Sequence, residues 1–301
     1  MSTQNVVIHK PREVVNTMMD SNRWNGFKFR DGDIVIGTWA KSGTTWTQQI
    51  VSQLVFNGAE GIPAADVAPW VDMRVLPFDD MMAGLEAQTH RRFLKTHLPA
   101  DSVPLSPKAK YLYIGRDGRD VYWSWHNHLM VMADWLYEAF NTPPGLPGGP
   151  LVRPDGDARK GFNGWLAGEG YSADTFWPHV QSWWNVHNAP NVMLVHFANL
   201  KADMAGEIRR IARFLEIEID EAKWPPILEH CSFDYMKKNA DSLSQLGTTA
   251  FQGGLKSFIH KGVNGRWRDL LSADEIERYE RMAREHLAPD CAHWLATGEL
   301  R

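Results

Sequence analysis

The stretch Ile34-Val35-Ile36-Gly37-Thr38-Trp39-Ala40-Lys41-Ser42-Gly43-Thr44-Thr45-Trp46 decides the fold. Its first three residues have the character of a buried β-strand. Beyond the loop, Trp46, Ile50, Val51, Leu54 and Val55 recur on one face of a helix. The loop between is rich in Gly, Ser and Thr. Such a loop, entering a helix, presents free backbone N–H groups at the positive end of the helix dipole. Lys41 adds a mobile cation, and Ser42, Thr44 and Thr45 add hydroxyls. The segment is a cradle for a phosphate or a group that resembles one.

Two familiar phosphate loops do not fit it. The nucleotide-hydrolase loop reads G-x-x-x-x-G-K-[S/T]. Counted from Gly37, Ser42 stands where the second Gly belongs and Gly43 where the Lys belongs. The later strand Tyr111-Leu112-Tyr113-Ile114 ends on Gly115 and Arg116, not on a carboxylate that could hold Mg²⁺. A basic residue there suits a second phosphate and disfavours a metal. The dinucleotide fingerprint G-x-G-x-x-G is absent after every readable strand.

Strands are expected near 33–38, 91–96, 110–115 and 192–197. Helices are expected over 45–57, 119–136, 175–188, 201–215 and 273–286. In the fourth, Met204, Ile208, Ile211, Ala212 and Leu215 form an apolar stripe. Strands alternating with helical crossovers imply an α/β fold, a mainly parallel sheet flanked by helices, with a P-loop-like strand-loop-helix. Ligands bind beyond the C-terminal strand ends of such sheets. Lys41, His97 and Arg116 each follow a strand, so three distant segments should converge on one cleft. The Pro- and Gly-rich run 143–150 opens an irregular insertion at about 140–172, either a lid or a surface excursion. A second loop is expected at 237–257.

The 301 residues read as one domain, and 44% hydrophobic content is ample for its core. A net charge of only −4 gives no reason to expect a nucleic-acid partner. No apolar run approaches the roughly 18 residues of a membrane span. Residues 1–10 do not resemble a secretory leader, and Cys231 and Cys291 are too few for a disulfide framework. A cytoplasmic protein is expected.

Five segments carry a family resemblance. Lys41-Ser42-Gly43-Thr44-Thr45-Trp46 resembles the 5′-phosphosulfate loop of the cytosolic sulfotransferases, in a bacterial-type form. Arg116, followed eight residues on by Ser124, is similar to that family's 3′-phosphate pair. Lys95-Thr96-His97-Leu98-Pro99 resembles the segment with the catalytic histidine. His260-Lys261-Gly262-Val263-Asn264-Gly265-Arg266-Trp267 resembles the basic block that closes on the 3′-phosphate, and His230-Cys231-Ser232-Phe233 the segment near the adenine. The matches span about 34 to 267, most of the chain.

The resemblance implies sulfuryl transfer from 3′-phosphoadenosine 5′-phosphosulfate (PAPS) to a hydroxyl or amine of a small molecule, leaving adenosine 3′,5′-bisphosphate (PAP). It implies His97 as general base, Lys41 at the bridging oxygen and Lys95 at the sulfuryl oxygens. For the nucleotide it implies Lys41, Ser42, Gly43, Thr44, Thr45, Trp46, Arg116, Ser124, Cys231, Phe233, Phe258, His260, Lys261 and Gly262. No metal is implied. Two positions depart from the family: His260 stands where an arginine is usual, and Cys231 where a hydroxyl residue is usual.

Plainer readings stay open. Arg116 could pair with Asp117 or Asp120, and Ser124 could bond its own helix. His126 and His128 are spaced like a metal pair but lack a third ligand, and fit the core or the acceptor pocket better. The 14 tryptophans lean toward an aromatic or apolar alcohol as acceptor. The animal dimerisation signature is not recognisable after Trp267, so a homodimer has no support in the sequence. A nucleotide-dependent kinase or a non-catalytic nucleotide-binding protein are the alternatives.

Overall fold

The computed structural model describes residues 10–171, 173–259 and 261–301. Four strands, β1 (Asp33–Thr38), β2 (Phe93–Thr96), β3 (Ala109–Gly115) and β4 (Val192–His196), form one sheet in the order β2-β1-β3-β4. Every neighbouring pair is parallel, with Ile36 opposite Lys95 and Leu112, and Ile114 opposite Val195.

Apolar side chains alternate between the two faces, as a doubly covered parallel sheet requires. Ile34, Ile36, Phe93, Leu112, Ile114 and Val195 pack on one face. They meet Ile50, Val51 and Leu54 of α1 (Thr44–Val55). Val35, Leu94, Tyr111, Tyr113 and Leu194 point the other way, into a core rich in tryptophan. On that side lie α2 (Gly118–Val131), α3 (Asp134–Phe140), α4 (Ala158–Leu166) and α5 (Ala173–Asn185). The helix α6 (Met204–Leu215) returns to the first face through Ile208, Ile211 and Leu215. Finally α7 (Ala273–His286) opens with a capping box of Ser272 and Glu275.

Four expectations need correction. The helix expected over 119–136 ends at Val131 and restarts at Asp134. Ala133 N–H donates to Ala250 and Gln252 N–H to Val131, so a distant segment takes the backbone groups a continuous helix would use. The helix expected over 201–215 begins as a short helix at Phe197–Ala202 and is restarted by Asp203, whose carboxylate caps Gly206 N–H. The insertion at 140–172 is not wholly irregular. It contains α4, capped by Asp157 and anchored by the buried Phe162, Trp165 and Leu166. The loop expected at 237–257 likewise carries short helices at Gln245–Ala250 and Leu255–Phe258.

Candidate active site

The segments that leave β1, β2 and β3 meet above the sheet, around a cavity of about 640 Å³. The β1 loop turns sharply: Lys41 has φ 69° and Gly43 φ 119°. Any side chain at position 43 would be strained, and a Cβ there would lie 2.9 Å from the Phe197 ring. This turn brings Gly43, Thr44, Thr45 and Trp46 to the cavity wall at the start of α1. The N–H groups of that first turn have no carbonyl of their own helix to bond.

Lys41 extends over the ring of Phe258, with its ammonium 3.4 Å from the ring centroid. Burial, with Lys95 and Arg116 nearby, pushes its pKa well below the ordinary lysine value. Arg116 leaves the end of β3 and is 7% exposed. Its guanidinium donates to Asn264 Oδ1 (3.1 Å) and to the carbonyls of Lys41 (3.3 Å) and Val263 (3.2 Å). It also lies over the Phe197 ring at 4.1 Å. All three hydrogen-bond partners are neutral. Asp117 instead pairs with Arg119 at 2.6 Å, and Asp120 accepts from Gly265 N–H at 2.8 Å. Burial lowers Arg116 to about 10. Among the described residues, Lys41, Lys95 and Arg116 form no ion pair closer than 4.0 Å, yet all three line one cavity. Cations held this way stabilise an anion that replaces lost water.

His97 directly follows β2. Its Nδ1 donates to the Thr38 carbonyl at 2.7 Å, and its ring meets Trp70 edge-on, 4.7 Å between centroids. Burial first, then Lys95, holds the imidazole well below its ordinary pKa, so it is neutral at physiological pH. Lys95, two residues earlier, faces the same cavity and is lowered by burial to about 8.

The remaining elements complete the enclosure. Ser124, six residues into α2, Phe233, Phe258, Lys261 and Gly262 all line the cavity. Gly262 has φ 59°, and a Cβ there would lie 2.5 Å from the Phe233 ring, so the basic block closes directly on the 230–233 segment.

The family profile described as a sulfotransferase domain matches residues 31–289. The chain belongs to the sulfotransferase family. A glycolipid sulfotransferase of Mycobacterium bovis is 31% identical, with 93% of each chain covered. Mouse sulfotransferase 1B1 is 27% identical over 94% of this chain and 91% of its own. The structure of mouse sulfotransferase SULT7A1 complexed with PAP shares the fold, with a TM-score of 0.69 at 21% identity, covering 91% of this chain and 92% of that one. The activity of this sulfotransferase is sulfuryl transfer from PAPS to a small-molecule acceptor. The donor carries two separate anionic ends, which the turn at Lys41 and the cation at Arg116 fit.

Two expected nucleotide residues are not among those that line the cavity. Ser42 is 2% exposed and does not line the cavity. Cys231 is fully buried in the core beneath α1, and its contribution is a carbonyl that accepts from Trp46 Nε1 at 2.8 Å. His260 lies outside the described residues. The two histidines of α2 diverge: His126 is buried beside Tyr122, whereas His128 lines the cavity between the Phe251 and Phe258 rings. The sequence reading missed Thr38, Trp70 and Asp72. A lone carboxylate in the apolar run Pro69-Trp70-Val71-Asp72-Met73 was the available signal.

Proposed function

We propose that this sulfotransferase acts on a hydroxyl or amine of an acceptor with an apolar or aromatic body, in the cytoplasm. His97 serves as general base, and Lys41, Lys95 and Arg116 take up the donor's charge. The observation that carries this reading is the meeting, in one cavity, of a neutral imidazole and three basic side chains that form no ion pair closer than 4.0 Å among the described residues.

The roles follow from what sulfuryl transfer needs. The moving SO₃ group carries less negative charge than a phosphoryl group, so side-chain cations can meet its demand. The acceptor must lose a proton as it attacks sulfur in line. With Nδ1 committed to Thr38, the lone pair of His97 sits on Nε2 and receives that proton. Lys41 stabilises the bridging oxygen as the S–O bond breaks, and Lys95 the non-bridging sulfuryl oxygens. Arg116, with Ser124, Lys261 and Gly262, holds the 3′-phosphate, to which its planar fork can bond twice. Phe233 and Phe258 flank the nucleotide.

The far wall supports an apolar acceptor: Met73, Leu76, Met81, Met132, Leu136 and Phe140 line the same cavity. The mycobacterial relative is named a glycolipid sulfotransferase, which points the same way. Two buried free cysteines suit a reducing compartment.

The test is transfer from ³⁵S-labelled PAPS to a panel containing a phenol, a sterol, a long-chain alcohol, a glycolipid and a free sugar. Labelled product from an apolar acceptor is expected. No heat of binding for PAP, or turnover only with the free sugar, overturns the reading.

A further inference from the structure

The chain approaches β2 along the free edge of the sheet, where Pro69-Trp70-Val71-Asp72 runs beside the strand. Lys95 N–H donates to the Pro69 carbonyl at 3.0 Å, and Val71 N–H to the Lys95 carbonyl at 3.1 Å. Trp70 and Lys95 form a parallel bridge, and this register sets Asp72 beside His97. Asp72 is fully buried. Its Oδ1 accepts from Trp24 Nε1 at 3.2 Å, and its Oδ2 from Trp70 Nε1 at 2.6 Å and from His97 N–H at 3.2 Å. Every partner is a donor, which is the environment of a carboxylate and not of a carboxylic acid.

Two of those donors belong to the reaction centre or touch it. His97 directly follows β2. Trp70 is the ring that meets His97 edge-on, and the Lys95 ammonium stands 4.8 Å from its centroid. One buried carboxylate therefore fixes the wall that both Lys95 and His97 touch.

We infer that Asp72 is a positioning residue for sulfuryl transfer, holding Trp70 and the His97 backbone in register and supplying the countercharge to Lys95. The inference rests on the proposed roles of Lys95 and His97. Several groups share the cavity with Lys95: the basic Lys41 and Arg116, and His97 and His128, both neutral. Asp120 also lines it, beside Arg116. Burial lowers Lys95 to about 8, and Asp72 is the charge that opposes this. Without the carboxylate the ammonium gives up its proton at lower pH. Asparagine would also turn an NH₂ group toward at least one of the donors.

The test compares wild type with Asp72→Asn in the full chain. Lysine side-chain ¹⁵N NMR on the ligand-free protein follows Lys95, assigned with Lys95→Met. Rates are measured against pH, and PAP affinity by calorimetry. The Lys95 midpoint should fall by about one pH unit or more. The alkaline limb of kcat should move with it, so that turnover at pH 8.5 drops roughly tenfold. PAP affinity should change less than about threefold, because Asp72 touches none of the phosphate-binding groups. Trp24→Phe deletes a bond to the same carboxylate from the far side, and should lower Tm without moving the limb. Asp72→Glu should restore part of the limb, and it serves if Asp72→Asn does not fold. An unmoved Lys95 midpoint, an unmoved limb, or a Trp24→Phe shift equal to that of Asp72→Asn overturns the inference. Should wild type fail to bind PAP, the functional reading falls separately, and the NMR titration still decides the charge pairing.

Discussion

The Nδ1 of His97, the residue after β2, lies 2.7 Å from the carbonyl oxygen of Thr38, the last residue of β1. A carbonyl only accepts, so this contact fixes the tautomer and leaves Nε2 free to take a proton. The Thr38 hydroxyl is 3.0 Å from the same nitrogen and 2.7 Å from the Thr44 hydroxyl. On the proposed roles, the base is aligned by the last residue of the strand that leads into the donor's loop.

Separate roles predict separable losses. His97→Ala should lower kcat about 10²- to 10⁴-fold and leave PAP affinity close to wild type. Lys41→Ala should lower both. Single-turnover rates and calorimetry on the two variants decide the matter; equal loss of affinity in both would contradict the division of labour.

The lysines should cost stability while serving function. Lys95 titrates at about 8 in the folded protein against an ordinary 10.5. Below pH 8 the fold carries the full penalty of a buried ammonium, and the penalty is relieved as pH rises from about 8 to 10.5. Lys95→Met should therefore abolish transfer yet raise Tm at pH 7, by about 2–4 °C. That gain should shrink at pH 10. Calorimetric melting at both values checks the sign.

The pH dependence of kcat/KM should be lopsided. Lys95, lowered by burial to about 8, and Lys41, pushed well below its ordinary value, both lose charge on the alkaline side, so the alkaline fall should begin no higher than about pH 8. Burial and neighbouring cations hold His97 well below its ordinary value, so no acid limb is expected at about 6.5. A symmetrical bell with a limb at 6.5 would mean that His97 is solvated or carboxylate-paired, contrary to its surroundings.

The parts legible in the sequence were those set by local pattern plus the geometry of a parallel sheet. Lys41, His97 and Arg116 could be gathered because strand ends in such a sheet share one edge. The helix α4 was not legible, since Gly161 and Gly164 sit inside it and its Phe162 and Trp165 are ordered by distant core partners. The break after Val131 depends on Ala250 and Gln252, more than a hundred residues away. Asp72 reads as an ordinary loop carboxylate until the bridge between Trp70 and Lys95 sets it beside His97. Cys231 shows the converse: it stands in a segment that resembles the adenine-binding one, but its side chain turns into the core beneath α1.

Arg116 predicts discrimination between nucleotides. Its three hydrogen-bond partners are neutral, so its charge is available to an anion. Arg116→Ala should weaken PAP binding roughly 10- to 100-fold, the range for bonds to charged groups. Binding of adenosine 5′-phosphate, which has no 3′-phosphate, should change much less. Arg116→Lys should fall between, because an ammonium cannot present the planar fork. Titrating both nucleotides into the three proteins gives the ratio directly, and an equal loss for both would remove Arg116 from the 3′ end.

His128 concerns the acceptor. Its ring stacks on Trp125 at 5.2 Å and faces Phe251 and Phe258 at 5.1 and 5.5 Å, yet its Nδ1 is buried with no hydrogen-bond partner among the described residues. A buried polar atom left unpaired costs about 1–3 kcal/mol, which an acceptor oxygen reaching the ring would recover. The nitrogen should therefore favour acceptors with a second oxygen near the reactive hydroxyl. His128→Phe fills the aromatic box without the unpaired atom, and should raise Tm while lowering the preference for a diol over its matched mono-alcohol about tenfold. The ratio of kcat/KM for that pair is the measurement. A ratio unchanged by the substitution would make the imidazole a packing residue in an otherwise apolar wall.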